Sequence, residues 1–291
     1  MKDVKMSPRE ERLLVIENIK NALIEGNSFK KVELFDPVIT EEDIKRTIVP
    51  FDTERRRAKS RLLSFISRKI AESEAKKLSS RIEIYGLENA LSLEGGAIIT
   101  QNHFNPEDSL PARLMAMKLG KEKDLHIIVQ QTNVFMTGFF GFLMKNCNTL
   151  PVSDNLSYMA KNLKPAIKNI LDKKGFILVY PEQEMWFNYK KPREARDGAY
   201  HYAAEFGAPI LPCFVTMKNT KDLDINGFYT QKYTLHVMPP IYPDKNLSVR
   251  ENRENMKRLD TELKRNCYES FYGAPAEKEF EAERDIAGFY L

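Results

Sequence analysis

Apolar residues recur along this chain in two rhythms, and the switching between them outlines the fold. Over residues 8–25, Leu13, Ile16, Ile19 and Leu23 fall on one face at helical spacing. Ser7, Pro8 and Glu10 supply the cap, the first helical position and the capping-box partner, and Gly26 closes that helix. A short helix is expected after Thr40. A longer one is expected over 53–78, with Leu62, Phe65, Ile66 and Ile70 along one side. Short β-rich runs then alternate with helical stretches. Strands are expected at 81–85, 97–100, 125–129, 176–180, 213–217 and 232–238. Helices are expected at 106–119 (Leu110, Leu114 and Met117 inward), 155–173, 197–206 and 249–272. This alternation predicts an α/β domain over 81–273, preceded by a helical extension over 1–80 and followed by a charged, loosely docked tail over 274–291.

The run Gly95 to Asp108, GGAIITQNHFNPED, ends a buried strand on a polar cluster. Pro106 fits the first position of the helix that follows. In open α/β sheets, ligands and reacting groups gather outside the carboxyl ends of the strands. An imidazole takes a proton from a hydroxyl near neutral pH when its tautomer is fixed, and a carboxylate on the other ring nitrogen fixes it. Five positions across a turn into a helix let Asp108 fold back onto His103. No serine or cysteine nucleophile is supplied locally, so the simplest chemistry is attack by a substrate hydroxyl, activated by His103, on an activated acyl group. A capped turn with a half-buried histidine is the structural alternative.

Charge and composition narrow the picture further. The net charge is only +4, yet the ten basic residues between Arg55 and Arg81 face only Glu72 and Glu74. Two readings of that 55–81 helix are open: a solvated face packed on the domain, or a surface lying on anionic lipid. The three cysteines have no paired spacing, which argues for a reducing compartment and a cytoplasmic chain, peripheral at most on the inner face of a membrane. No signal peptide is visible, and no segment reaches the ~20 apolar residues of a membrane span. The four histidines lack metal-ligand spacing, so no metal is expected. Gly-x-Ser-x-Gly, dinucleotide and phosphate-loop fingerprints are absent. Val134 to Met144, VFMTGFFGFLM, is the most apolar run; it reads either as a buried helix or as an acyl-chain wall lined by Phe139, Phe140 and Phe142. Trp186, Phe187 and Tyr189 could stack on a sugar or enter a lipid interface.

The motif NHFNPED resembles the NH-x4-D motif of the glycerolipid acyltransferases of the lysophosphatidic acid type, and three further blocks follow in that family's order. Thr149-Leu150-Pro151-Val152-Ser153 corresponds to the second, with Ser153 where the family has an arginine. The strand ending in Pro181-Glu182 is similar to the third, with Gln183, Glu184 and Met185 in place of Gly-Thr-Arg. The turn Pro209-Ile210-Leu211-Pro212 and the strand after it resemble the fourth. The resemblance covers about 85–242 and implies a mixed central sheet. It also implies acyl transfer from a thioester, acyl-coenzyme A or acyl carrier protein, to a lysophospholipid or related lipid-like acceptor, with no resident cofactor and no nucleic acid partner. His103 becomes the general base and Asp108 its orienter, with Asn102 and Glu182 in acceptor binding or loop geometry. The missing arginines are associated with the acceptor phosphate, so Lys190, Lys191 and Arg193 are the candidate replacements on an anionic head group. A catalytically weak lipid- or acyl-carrier-binding protein on the same fold is the alternative, and a thioester hydrolase the third reading.

Overall fold

The computed structural model describes residues 6–34 and 58–290, with Thr40 and Glu42 between them. Of the short helix expected after Thr40 only Glu42, which is helical, is described; its other residues and the first turn of the 53–78 helix lie outside the described residues. Helix α1, Pro8–Ile24, starts with the expected capping box of Ser7 and Glu10. Its buried stripe is Val15, Ile16, Ile19 and Ala22, rotated from the expected one, and Leu13 faces outward. Helix α2 is Ala58–Lys77.

Seven strands form one mixed sheet in the order β1-β7-β6-β2-β5-β3-β4. They are β1 (Ile82–Tyr85), β2 (Ala97–Thr100), β3 (Leu125–Gln130), β4 (Thr149–Val152), β5 (Phe176–Val179), β6 (Ile210–Leu223) and β7 (Tyr229–Val237). The fully buried β2 runs parallel to β5 on one side and β6 on the other, with Ile99 beside both Leu178 and Leu211. Burial on both faces explains why this strand is a continuous apolar run without alternation. β6 and β7 form the antiparallel hairpin that makes the sheet mixed. β4 is an additional strand that sequence reasoning left unassigned because Pro151 interrupts it. It lies at the sheet edge, where a strand tolerates a residue without an N–H.

Side-chain alternation divides the core into two layers. Ala97, Ile99, Phe176, Leu178 and Leu211 face helix α4, Ser109–Lys118. Ile98, Ile177 and Ile210 face the opposite layer, built from three further helical elements. These are α6, which runs through Leu156–Tyr158, a π turn at Met159–Leu163 and Lys164–Asp172; α7 (Gly198–Phe206); and α8 (Val249–Tyr272). The short α3 is Leu87–Leu91. Helix α4 starts later than expected: Pro106 and Glu107 belong to a turn in which Asn105 Oδ1 accepts the Glu107 N–H at 2.9 Å. It is buried from Pro111 through Ala116 instead of along one stripe, because it is packed between the sheet and α2.

The apolar run at 134–144 is not one buried helix. A 3₁₀ turn, Gln131–Phe135, is followed by α5, Gly138–Asn146, of which only Gly141 is buried. A Cβ on Gly141 would stand 1.9 Å from the Met136 carbonyl oxygen, so the chain's own backbone makes the close approach there.

The tail is docked, contrary to the sequence-based expectation. After α9, Ala282–Asp285, the residues Asp285, Ile286 and Ala287 are buried, and Ile286 joins Val15, Ile19, Trp186 and Phe228 in a core beneath α1. A charge-rich segment reads as solvated, but here the charge of Asp285 is matched by Lys191 Nζ at 3.0 Å inside the protein.

Candidate active site

The end of β2 delivers the polar cluster to the carboxyl edge of the sheet. Asn102 continues the strand by side chain: Val215 N–H donates to its Oδ1 at 2.8 Å and its Nδ2 donates to the Val215 carbonyl at 3.0 Å. That clamp on β6 turns the next residue, His103, out of the ladder, leaving its side chain 24% exposed. Asp108, at the start of α4, folds back so that Oδ2 lies 2.5 Å from His103 Nδ1. The same oxygen accepts the Phe104 N–H at 3.2 Å, and Tyr180 donates its hydroxyl to Oδ1 at 2.8 Å. The Tyr180 ring also stacks beneath the imidazole, with centroids 4.3 Å apart and planes inclined by 19°. Burial, followed by the neighbouring Asp108 charge, pushes the Tyr180 phenol well above its usual range, so it stays a donor.

A strap over residues 181–193 pins the turn from the other side. Glu182 accepts the His103 N–H at 3.1 Å and the Arg193 N–H at 3.0 Å. Its carboxylate also pairs with the Arg193 guanidinium at 3.0 Å, with both side chains almost fully buried. The His103 carbonyl accepts the Trp186 N–H at 3.2 Å, and the Phe104 carbonyl accepts the Asn188 N–H at 2.7 Å. Burial lowers the Arg193 pKa, opposed by the Glu182 charge beside it.

The other sequence candidates fall into distinct places. Asn102 and Glu182 are engaged with the protein's own backbone as described. Lys191 is buried on Asp285 and on the Lys278 carbonyl. Arg193 is buried on Glu182 and Ser28, with Trp186 stacked on it at 4.4 Å. Both cations therefore point into the protein, bound to groups that meet most of their hydrogen-bonding capacity. Lys190 is partly exposed over the Tyr272 ring at 5.4 Å, and burial lowers its pKa. Trp186 itself is fully buried and donates Nε1–H to the Lys30 carbonyl at 3.0 Å, so it meets neither sugar nor lipid. Phe139 and Phe140 are 52% and 51% exposed, and Phe142 is partly buried. Ser153 is partly exposed and accepts the Asn155 N–H at 3.1 Å.

Sequence reasoning missed Tyr180 as a partner of Asp108. The signal was available in the period of two that places Phe176, Leu178 and residue 180 on one face. It also missed Asp285, whose pairing with Lys191 spans too much chain for any local pattern to reveal. Thiol chemistry at Cys213 is disfavoured, because burial pushes that pKa up to about 12. Among the described residues, no three His, Cys, Asp or Glu side chains form a group that could hold a metal ion.

Comparison with known proteins places a family on this frame. Residues 81–216, which include β1, β2, the His103 turn, the strap and the first half of β6, match the model of the Acyltransferase family. Among solved structures, the chain is similar to the 1-acyl-sn-glycerophosphate (LPA) acyltransferase PlsC from Thermotoga maritima. The identity is 17% and the TM-score 0.42, over 88% of this chain and 96% of that one. No curated protein sequence matches the chain.

Proposed function

We propose that this protein, whose residues 81–216 match the model of the Acyltransferase family, moves a fatty acyl group from a thioester to the hydroxyl of a lysophospholipid or related lipid-like acceptor. The donor is acyl-coenzyme A or acyl carrier protein. The observation that carries the reading is the 2.5 Å contact of His103 Nδ1 with Asp108 on a partly exposed imidazole. With Nδ1 committed to the carboxylate, Nε2 is the nitrogen that takes the acceptor's proton. The alkoxide oxygen forms a bond to the thioester carbon, and the carbonyl electron pair moves onto oxygen. Collapse of that tetrahedral species breaks the carbon–sulfur bond, and the leaving thiolate takes the proton from the imidazolium. The products are an ester and a free thiol, with His103 neutral again. Asp108 holds the tautomer and stabilises the transient imidazolium.

Glu182 and Arg193 act in this scheme as the buried frame that fixes the His103 turn, and Asn102 aims it. The head-group grip then falls to cations other than Lys191 and Arg193, with Lys190 the candidate of that group nearest the surface. The exposed Leu62, Phe65 and Ile66 of α2, together with Phe139 and Phe140 of the adjacent α5, support a peripheral contact with a lipid surface. Arg61 and Lys69 are exposed on the same stretch of α2 and would meet anionic head groups.

The test is product analysis by mass spectrometry after incubation of each thioester donor with lysophospholipids, glycolipids and glycerol phosphate. His103→Ala is expected to remain folded by circular dichroism and to lose transfer by about 10³-fold or more. Full turnover in that variant would end the proposal. Binding of acceptor with no product from either protein would favour the binding-protein alternative, and His103-dependent release of free fatty acid would favour a hydrolase.

A further inference from the structure

Strand β5 stands beside β2 in the sheet, parallel to it and with Leu178 opposite Ile99. The pairing runs a step past both strands, where Gln101 donates its N–H to the Val179 carbonyl at 3.1 Å. Tyr180 therefore stands level with Gln101, two residues short of His103, on the face that Phe176 and Leu178 share with Ile99. Pro181 confines the residue before it to extended backbone. The Tyr180 carbonyl accepts the Gln183 N–H at 3.0 Å across a tight turn in which Gln183 is left-handed, with φ 64°. A central strand and a fixed turn thus aim this side chain.

From that place Tyr180 meets both members of the His103 and Asp108 pair. Its hydroxyl donates to Asp108 Oδ1 at 2.8 Å, while Oδ2 lies 2.5 Å from His103 Nδ1. Its ring lies against the imidazole, with centroids 4.3 Å apart and planes inclined by 19°. The two contacts have separate physical effects. Asp108 is buried, and among the described residues Oδ1 accepts from Tyr180 alone. Without that donor a buried carboxylate oxygen is stripped of its hydrogen bond, which favours rotation of the group towards other donors. With a donor on each oxygen, Tyr180 on Oδ1 and the Phe104 N–H on Oδ2, the plane of the carboxylate is fixed. The ring acts on the imidazole itself. An aromatic face attracts a cation, and the imidazole becomes one only after it has taken a proton. The stack is therefore stronger with the transient imidazolium than with the resting, neutral ring, and an interaction that strengthens on the way to the transition state raises kcat.

We propose that Tyr180 is a positioning residue for acyl transfer: its hydroxyl holds Asp108 in the orientation that leaves Oδ2 to His103, and its ring holds the imidazole plane and favours the imidazolium. This rests on the reading of His103 and Asp108 as the catalytic pair.

The experiment compares full-length protein with Tyr180→Phe, which keeps the ring and removes the hydroxyl, and with Tyr180→Leu, which removes both. Three quantities are read: the thermal midpoint, kcat and KM for both substrates, and the proton NMR signal of His103 Nδ1–H without substrate. Tyr180→Phe is expected to stay folded, to lower kcat by about tenfold with little change in KM, and to shift or broaden the His103 signal. Tyr180→Leu should lower kcat by a further ~3-fold, the share of the stacked ring. Unchanged kcat and signal in Tyr180→Phe would overturn the proposal. A lowered thermal midpoint with unchanged kcat in the folded protein would also overturn it, by showing that the hydroxyl supports only the scaffold. A rise in KM for the acceptor at constant kcat would do the same, by making Tyr180 a substrate contact. Equal kcat in the two variants would remove the role of the ring. If the unmodified protein transfers no acyl group while the His103 signal still responds to Tyr180→Phe, the functional reading fails and the positioning contact stands.

Discussion

At the scale of single residues, the site depends on who occupies each lone pair of two carboxylates. Asp108 divides its oxygens between His103, Tyr180 and one backbone N–H, whereas Glu182 gives its oxygens to backbone and to Arg193. The first carboxylate can therefore orient an imidazole and the second can only hold a loop. Asp108→Asn should leave the turn in place, because an amide oxygen can still accept from Tyr180 or Phe104. The amide gives the imidazole no charge to balance, so kcat is expected to fall by about 10²- to 10⁴-fold. Steady-state kinetics alongside circular dichroism check this, and a fall below threefold would show that Asp108 is not the orienter. The spacing of five made the His103 and Asp108 contact legible in sequence, since both ends lie on one turn. The fates of Lys191 and Arg193 were not legible, because their partners lie elsewhere in the chain.

At the scale of elements, neighbours decide what a local pattern means. Helix α4 reads as amphipathic but is buried nearly all round because α2 covers its outer side. The aromatic run at 134–144 reads either as a buried helix or as an acyl-chain wall, and the fold turns Phe139 and Phe140 outward while Gly141 lets the Met136 backbone close on α5. The contact between β7, β6 and α8 carries a titrating group of its own. His236 lies with Nε2 2.9 Å from Thr216 Oγ1, between the rings of Tyr85 and Phe271. Burial lowers its pKa, so the folded protein keeps it neutral at pH values where the unfolded chain binds a proton. Its contribution is fully present above the unfolded value of about 6.5 and is lost as pH falls from there towards the depressed folded value. Urea midpoints measured across that window should decline on acidification, and His236→Gln should flatten this part of the profile. An unchanged slope would show that His236 is not the group responsible.

At the scale of the whole molecule, the two ends of the chain brace the site. Helix α1 and the tail meet over Trp186, Phe187 and Tyr189, and through this core they fix the strap that fixes His103. No helix among the described residues is long and apolar enough to cross a membrane. The exposed apolar residues of α2 and α5 instead offer a surface with basic neighbours. In sedimentation with vesicles, the protein should bind anionic bilayers more than neutral ones and lose part of that binding at high salt. Phe139→Ser combined with Phe140→Ser should weaken binding to both kinds. Equal recovery in the supernatant with and without vesicles would remove the lipid surface from the account.

The sequence by itself determined what depends on near neighbours: the capping box of α1, the apolar strands, the α/β alternation, and the turn that brings Asp108 back to His103. Periodicity and short loops are local, and their physics is complete within a few residues. Tertiary structure alone decided which charges face outward and which are buried. It put Asp285 on Lys191, Glu182 on Arg193 and Tyr180 on Asp108, because the field and hydration of a charge are set by whatever the fold packs around it.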